Sequence, residues 1–262
     1  MNSWKNSWGK KIFFIEYFKF NFLLKKYLWK IFKISLPKLK NQENYWKNRG
    51  QVYRQEFFDS GYADREIFFQ DIFIKILKEL KFNSILELGC GFGWNLGRIK
   101  KEFDVRIFGI DFSNTQLDNA KIFLNNDNKI ELSQGDITKL PYKNNSIDVL
   151  FSFGVFMNLH KNIVNLAIDE AIRVSNKYII HVEPINQFYT KELLSNRVFK
   201  TNIISHNYLE IYKKKGLKLV KFLSYKDFEN DHLDFIKDIK SKYERWEPIE
   251  DCSKYTFSLF SK

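Results

Sequence analysis

Cysteine is scarce: the 262 residues contain only Cys90 and Cys252. They form no CxxC pair, and the four histidines are scattered. The chain therefore lacks the clustered thiols and imidazoles of a zinc site. It also lacks the acid and histidine clustering of a divalent-ion site, so no metal is expected. So sparing a use of cysteine fits a reducing, cytoplasmic setting. Long apolar runs are missing too. Lys19, Lys25, Lys26, Lys30 and Lys33 interrupt every N-terminal window long enough to span a bilayer. No unbroken apolar core followed by a small-residue cleavage site marks a secretory leader. Internal repeats and low-complexity linkers are likewise absent, which leaves one medium α/β domain with extensions, or at most two small domains.

What is present is globular in balance, with 44% hydrophobic and 28% charged residues. Aromatics reach 18%, with 27 Phe; together with abundant Lys, Asn and Ile this matches the bias of an AT-rich gene and carries little functional weight. The net charge of +12 is unevenly placed. Residues 1–40 hold ten Lys and a single acid, Glu16, whereas the other 222 residues hold 33 basic and 30 acidic side chains. The basic signal belongs to the N-terminal segment and not to the body.

Along the chain, residues 11–36 predict a basic amphipathic helix. At about 100° per residue, Lys11, Lys19, Lys25, Lys26, Lys30 and Lys33 gather on one side. Phe13, Phe20, Leu24, Tyr27, Leu28, Ile31 and Phe32 lie opposite, although Ile15, Phe18, Phe22 and Trp29 stray onto the Lys side. Pro37 stops it. Residues 41–48 read as a connector and 62–80 as a second helix. Strands and helices then alternate: strands at 84–88, 105–110, 129–133, 147–152 and 177–182, helices at 94–102, 113–125 and 161–174. Alternation of this kind predicts a parallel sheet with helices on both faces. Beyond Pro184 the pattern loosens into a helix at 207–215 closed by Gly216 and strands at 217–224 and 255–260. The polar stretch from Phe228 to Trp246 reads as a helical insertion outside the core.

The most informative stretch is Ile85-Leu86-Glu87-Leu88-Gly89-Cys90-Gly91-Phe92-Gly93. An apolar strand ends in an acid, passes through three alternating glycines and enters a helix. Glycines there let the backbone turn sharply and approach a ligand closely, and the helix start presents free N–H groups. The GxGxxG dinucleotide spacing fails, since Trp94 stands three residues after Gly91. The ExGxGxG pattern instead resembles the first motif of class I methyltransferases, which use S-adenosylmethionine. Asp111, in Gly109-Ile110-Asp111-Phe112-Ser113, stands where that family places a ribose-binding acid. Gly135-Asp136-Ile137 and Asp148 fall where its later motifs lie. The resemblance covers about residues 80–185.

The resemblance implies a Rossmann-like fold, a mostly parallel seven-stranded sheet with helices on both faces, preceded by a helical extension. It divides the chain into the basic aromatic extension 1–40, a helical lead-in 41–82 and a cofactor-binding domain 83–262 with an insertion at about 226–251. It implies a cofactor site made of Glu87, Gly89, Cys90, Gly91, Gly93, Asn95, Asp111, Phe112, Ser113, Gly135, Asp136, Ile137 and Phe153. Asp148 reads as structural. The lead-in Tyr45-Trp46-Lys47-Asn48-Arg49-Gly50-Gln51-Val52-Tyr53 is similar to that of bacterial methyltransferases of surface-polysaccharide and other glycan pathways. Arg49 can there grip the cofactor carboxylate as a fork beneath Trp46 and Tyr53; a packed aromatic cluster beside a solvated Arg fits the same residues.

After the fourth core strand stands Phe151-Ser152-Phe153-Gly154-Val155-Phe156-Met157-Asn158-Leu159-His160. The Asn/Asp-Pro-Pro-aromatic sequence typical of base amino-group methylation is absent. The stretch resembles the acceptor loop of small-molecule methyltransferases, which makes His160 the first candidate base, since imidazole suits proton removal near neutral pH. Glu183 and His206 are the other candidates, whereas His181 reads as a core residue and Cys90 is not a nucleophile candidate. The expected function is methyl transfer to a small-molecule or glycan acceptor, at oxygen. The rival is an RNA- or ribosome-directed enzyme using the basic arm, which a body without a basic stripe disfavours. Residues 1–40 are expected either to lie on the inner membrane face or to pack on protein.

Overall fold

The computed structural model describes residues 11–12, 15–16, 24, 27–28, 31–32, 42–59, 61–159, 161–185, 206–240 and 255–262. The chain divides into two compact units, Met1–Asn41 with Tyr189–Ile203, and Gln42–Phe188 with Ile204–Lys262.

In the smaller unit, β1 (Lys11–Ile12) pairs antiparallel with β2 (Ile15–Glu16), Ile12 facing Ile15 and Lys11 facing Glu16. The helix expected from residue 11 therefore does not begin there. A β-branched pair and an opposite-charge pair across a short connection favour a hairpin over the first helical turns. Leu24, Tyr27, Leu28, Ile31 and Phe32 are helical, as expected. The remainder of that predicted helix lies outside the described residues.

The larger unit begins with α1 (Gln42–Asp59) and α2 (Tyr62–Lys78). The connector expected at 41–48 is thus helical from Gln42. Its weak apolar periodicity hid it, because α1 rests on tertiary contacts rather than on an amphipathic stripe. Asn119 Nδ2 donates to the Gly50 carbonyl at 2.9 Å, and a Cβ on Gly50 would lie 3.3 Å from Gln116 Cγ. The chain continues as β3 (Ser84–Leu88), α3 (Trp94–Glu102), β4 (Arg106–Asp111), α4 (Asn114–Phe123), β5 (Ile130–Gln134), β6 (Ile147–Phe153), α5 (Lys161–Val174) and β7 (Ser175–Glu183). It ends with α6 (Tyr208–Lys214), β8 (Lys218–Leu223), α7 (Glu229–Lys240) and β9 (Thr256–Ser261).

These strands form one seven-stranded sheet of order β5-β4-β3-β6-β7-β9-β8. The strands from β5 across to β7 run parallel, and β9 joins antiparallel to both β7 and β8. β3 is buried along its whole length, as an inner parallel strand must be. Alternate side chains serve two cores: Ile85 joins Phe69, Phe73, Leu96 and Ile99 on one face, while Leu86 and Leu88 join Val164, Ile168, Ala171 and Tyr212 on the other. Between β8 and β9 the described residues Glu229–Lys240 are helical, as expected, but they are not peripheral. Phe228 and His232 are buried against Phe68 and Phe69 of α2; the sequence hid this because its apolar side chains at helical spacing are spread thinly among acids.

The chain runs β3, β4, β5 outward on one side and then returns to β6 on the other. The carboxyl ends of β3 and β6 are therefore the topological switch point, where open α/β sheets bind ligands.

Candidate active site

At that switch point β3 ends in the glycine turn. The N–H groups of Gly89 and Cys90 both donate to the Ile110 carbonyl, at 2.8 and 3.0 Å, tying the turn to β4. Gly89 has φ +76°, and a Cβ there would meet Val155 Cγ1 at 2.7 Å; no other residue fits both restrictions. Gly91 differs. The nearest atom to a Cβ at Gly91 is Gln116 Nε2 at 3.9 Å, so the backbone there faces open space.

Asp111, at the end of β4, organises the turn. Its Oδ2 accepts from the Gly91 N–H and its Oδ1 from the Ser113 N–H, each at 2.9 Å. Burial pushes its carboxyl above the usual range, against the lowering effect of those bonds. Ser113 caps α4, its Oγ accepting from the Gln116 N–H. Phe112 is half-buried, and its carbonyl accepts from Gln134 Nε2.

Glu87 lies beneath the turn, 2% exposed. Asn95 Nδ2 donates to Glu87 Oε1 at 2.7 Å, and Gln70 Nε2 in turn donates to Asn95 Oδ1 at 2.9 Å. Glu87 Oε2 is buried with no hydrogen-bond partner, as are Gln116 Oε1 and Trp94 Nε1. Burial pushes the Glu87 carboxyl up to about 8, with the Asp111 charge adding to it and the Asn95 bond opposing. Cys90 is raised well above the usual thiol range by burial and then by the Asp111 and Glu87 charges, so it stays a neutral thiol. An aromatic cluster from α1 covers the turn: Tyr53 and Phe57 pack edge-on against Phe92 at 5.9 and 5.2 Å, and Trp46 against Tyr53 at 5.7 Å. Arg49 lies on α1, with its side chain outside the described residues.

On the next strand end, Gly135 is wedged against Ile110, and Asp136 is exposed, its Oδ1 accepting from the N–H and hydroxyl of Thr138 at 2.8 Å each. Ile137 packs into the second core.

Comparisons with known proteins agree with this geometry. Residues 85–177 match the family model of a methyltransferase domain. The fold is similar to that of magnesium protoporphyrin IX methyltransferase from Synechocystis PCC 6803, solved with bound S-adenosylhomocysteine (TM-score 0.60, 11% identity, 84% of this chain and 99% of that one). It is similar to a possible histamine N-methyltransferase from Thermotoga maritima (TM-score 0.57, 15% identity, 85% and 99%). It also resembles geranyl diphosphate C-methyltransferase from Streptomyces coelicolor A3(2) (TM-score 0.53, 16% identity, 68% and 72%). Residues 85–177 are thus a methyltransferase domain, and the fold around them is that of S-adenosylmethionine-dependent methyltransferases. The acceptors named for those proteins are chemically unlike one another, so the shared fold carries no acceptor with it.

The loop after β6 is held from below. Glu183, at the end of β7, is completely buried, and Val155, Phe156 and Met157 all donate their backbone N–H groups to its carboxylate. His206 is 5% exposed, and its Nε2 donates to the Leu159 carbonyl at 3.1 Å. Two of the three candidate bases thus attach to one loop, and the third, His160, follows that loop but lies outside the described residues. His181 is a core residue, as expected. Phe153 is half-buried against Tyr255, whose hydroxyl would be 3.1 Å from a Cβ on Gly154.

Several polar residues here had no motif in the sequence. Gln70, Ser152 and Tyr255 come from distant segments. Gln116 had a signal, since Ser113-Asn114-Thr115-Gln116 has the S-x-x-Q spacing of a capping box. Arg65 and Glu66, 2% and 3% exposed, form a buried pair at the start of α2, with Arg65 Nε unpartnered. Among the described residues, no group of three or more His, Cys, Asp or Glu is arranged to hold a metal ion, and no helix is long and apolar enough to cross a membrane.

Proposed function

We propose that this methyltransferase modifies a small-molecule or glycan acceptor at oxygen, in the space between the glycine turn and the loop after β6. The observation that carries the cofactor half is the set of buried acceptors without partners, Glu87 Oε2 and Gln116 Oε1, beside a Gly91 backbone that faces open space. Groups left so are costly unless a ligand completes them, by about 1–3 kcal/mol each. They suit a ligand bearing an ammonium group.

S-adenosylmethionine, when bound, supplies a methyl group on a sulfonium. The residues do the rest. Gly89, Cys90, Gly91 and Gly93 bring the backbone close; Asn95 orients Glu87. Asp111 retains a lone pair on each oxygen beyond those taken by Gly91 and Ser113, enough to receive two ribose hydroxyls. Phe112, Ser113, Gly135, Asp136 and Ile137 sit on the neighbouring strand ends and border the adenine. Phe153 closes the methyl side, and Arg49 on α1 receives the cofactor carboxylate. His160 removes the acceptor proton. Catalysis then consists mainly of alignment and exclusion of water.

The acceptor class is supported by a body nearly balanced in charge, by the missing Pro-Pro-aromatic sequence after Phe153, and by the unpartnered Arg65 Nε, a donor suited to acceptor oxygen. Comparing metabolite and glycan mass spectra of wild-type and deletion strains tests it. A missing 14-dalton increment on a glycan or small molecule is expected (one methylene, from elementary composition); a loss confined to RNA would support the rival enzyme.

The N-terminal unit is proposed to rest on an anionic membrane surface. Leu24, Tyr27, Ile31 and Phe32, at helical spacing, are 46, 67, 55 and 64% exposed, and the sequence around them supplies Lys19, Lys25, Lys26, Lys30 and Lys33. Each Lys near such a surface contributes about 1 kcal/mol. Full-length protein is expected to sediment with anionic vesicles, and the variant carrying Ser at those four apolar positions is expected to stay in solution. Equal sedimentation of the two would leave the face to protein packing.

A further inference from the structure

Glu183 is the most heavily hydrogen-bonded carboxylate at the mouth of the sheet. Its Oε1 accepts from the Val155 N–H at 2.8 Å, the Phe156 N–H at 2.9 Å and the Ser152 hydroxyl at 2.8 Å; its Oε2 accepts from the Met157 N–H at 3.1 Å. Three consecutive backbone groups of one loop thus converge on one side chain from another strand.

The bonds behind it fix a direction. Ser152 spends its only proton on Glu183, so its 2.7 Å contact with His181 Nδ1 must be Nδ1–H donating to Ser152 Oγ. His181 Nε2 is then bare and accepts from the Tyr212 hydroxyl at 2.6 Å. Burial agrees, since it pushes His181 down to about 3, with His206 adding to the effect, and holds Tyr212 protonated. The chain Tyr212 to His181 to Ser152 to Glu183 therefore points every proton toward the carboxylate. This arrangement spans α6, β7, β6 and the loop, and nothing in it faces solvent: Ser152, His181, Glu183 and Tyr212 are all 0% exposed.

The loop it holds touches the cofactor turn directly. Val155 packs on Gly89 so closely that a Cβ there would clash with both of its methyl groups, at 2.7 and 2.9 Å. We propose that Glu183 is a positioning residue for methyl transfer, whose carboxylate fixes the backbone of Val155–Met157 and, through Val155, the spacing between the acceptor loop and the glycine turn. It touches neither cofactor nor acceptor, which distinguishes it from a base. The proposal rests on the reading above that the acceptor lies beside this loop.

Ionisation governs the clamp. The groups facing Glu183 are Ser152 of β6, His181 of its own strand with Tyr212 and His206 behind it, and Tyr255 before β9, none of them a permanent charge. Burial raises its carboxyl to about 7 against the lowering effect of the four donors. When the loop opens locally and Glu183 stays buried, the donors that lower its pKa are lost and its carboxyl rises further. Acid therefore favours opening and weakens the grip, whereas global unfolding, which exposes Glu183, is opposed by acid.

The test is amide exchange by nuclear magnetic resonance on the full chain loaded with S-adenosylhomocysteine, compared with Glu183→Gln and Ser152→Ala. The Gln amide puts donors against donors. Protection of the Val155, Phe156 and Met157 amides is expected to fall by at least about tenfold in E183Q. Radiolabelled methyl transfer from S-adenosylmethionine into extract of a deletion strain is expected to fall with it, while the dissociation constant for S-adenosylhomocysteine stays within about threefold. In wild type, protection corrected for intrinsic rates is expected to drop below about pH 7, and in S152A that midpoint shifts upward. If E183Q does not fold, the wild-type and S152A pH series decide alone. Protection unchanged in E183Q, or independent of pH in wild type, overturns the clamp. Lost protection with undiminished methyl transfer would leave the clamp standing and overturn its role in transfer, with the acceptor reading beneath it.

Discussion

The two ends of the parallel sheet treat carboxylates in opposite ways. At the amino end of β6, Asp148 accepts from the Asn83 N–H, from Asn176 Nδ2 and from Lys177 Nζ at 2.8, 2.9 and 3.1 Å. Burial alone would raise its pKa, but these partners outweigh burial and hold it below the usual range. At the carboxyl end, Glu87, Asp111 and Glu183 are all raised by burial, although each has hydrogen bonds. No Lys or Arg stands against them among the described residues. One end therefore spends its acid on holding the fold together, and the other keeps carboxyls buried with raised pKa values, Glu87 Oε2 without a partner. Such an imbalance costs stability, and perturbed carboxyls of this kind cluster at ligand-binding sites, which is why the cofactor is proposed to bind at this end.

The comparison can be broken most severely at the loop that has no counterpart at the amino end. His160→Gln is expected to lower methyl transfer by roughly 10²–10⁴ while leaving S-adenosylhomocysteine affinity nearly intact; unchanged turnover would move the base elsewhere or remove the need for one. Next comes the pH dependence of unfolding. Glu87 and Glu183 have folded values near 8 and 7 against the usual 4.5. Their contribution is fully present below 4.5 and is lost as pH rises through 7 to 8. The effect is on the order of a few kcal/mol, since a pKa difference of one is worth about 1.4 kcal/mol. Asp148 runs the other way, its contribution being lost as pH falls through its depressed folded value. Denaturant titrations of Glu87→Gln should therefore lose the upper part of the alkaline decline; a slope equal to wild type would show that Glu87 is not strained.

Smaller effects sharpen the contrast. Asp111→Ala is expected to weaken S-adenosylhomocysteine binding by about 1.5–3 kcal/mol, the range for bonds to a charged group, and calorimetry giving equal affinities would remove Asp111 from the site. Asp148→Asn should cost about 0.5–1 kcal/mol of stability through its Lys177 pair and leave cofactor affinity alone. A measurable loss of affinity in that variant would mean that the two ends are coupled.

Much of this was legible in the sequence because it rests on local chemistry. Strand ends, glycine spacing and an acid closing the second strand of the sheet are short-range patterns, and β3, α3 and α5 begin and end where periodicity places them. The sequence by itself determined the alternating α/β order, the glycine turn and the uneven placement of charge. Only the tertiary structure decided what the polar residues do. Glu183 read as a possible base because it ends a strand, and it serves three N–H groups twenty-six to twenty-eight residues away. Residues 41–48 read as a connector because their helix is held by Asn119 and Gln116, far along the chain. The hairpin at Lys11–Glu16 arose where helical periodicity and β-branched pairing competed. A periodic pattern reports which face is apolar; hydrogen bonds between distant segments leave no period, so a buried carboxylate's partners become known only when the strands stand side by side.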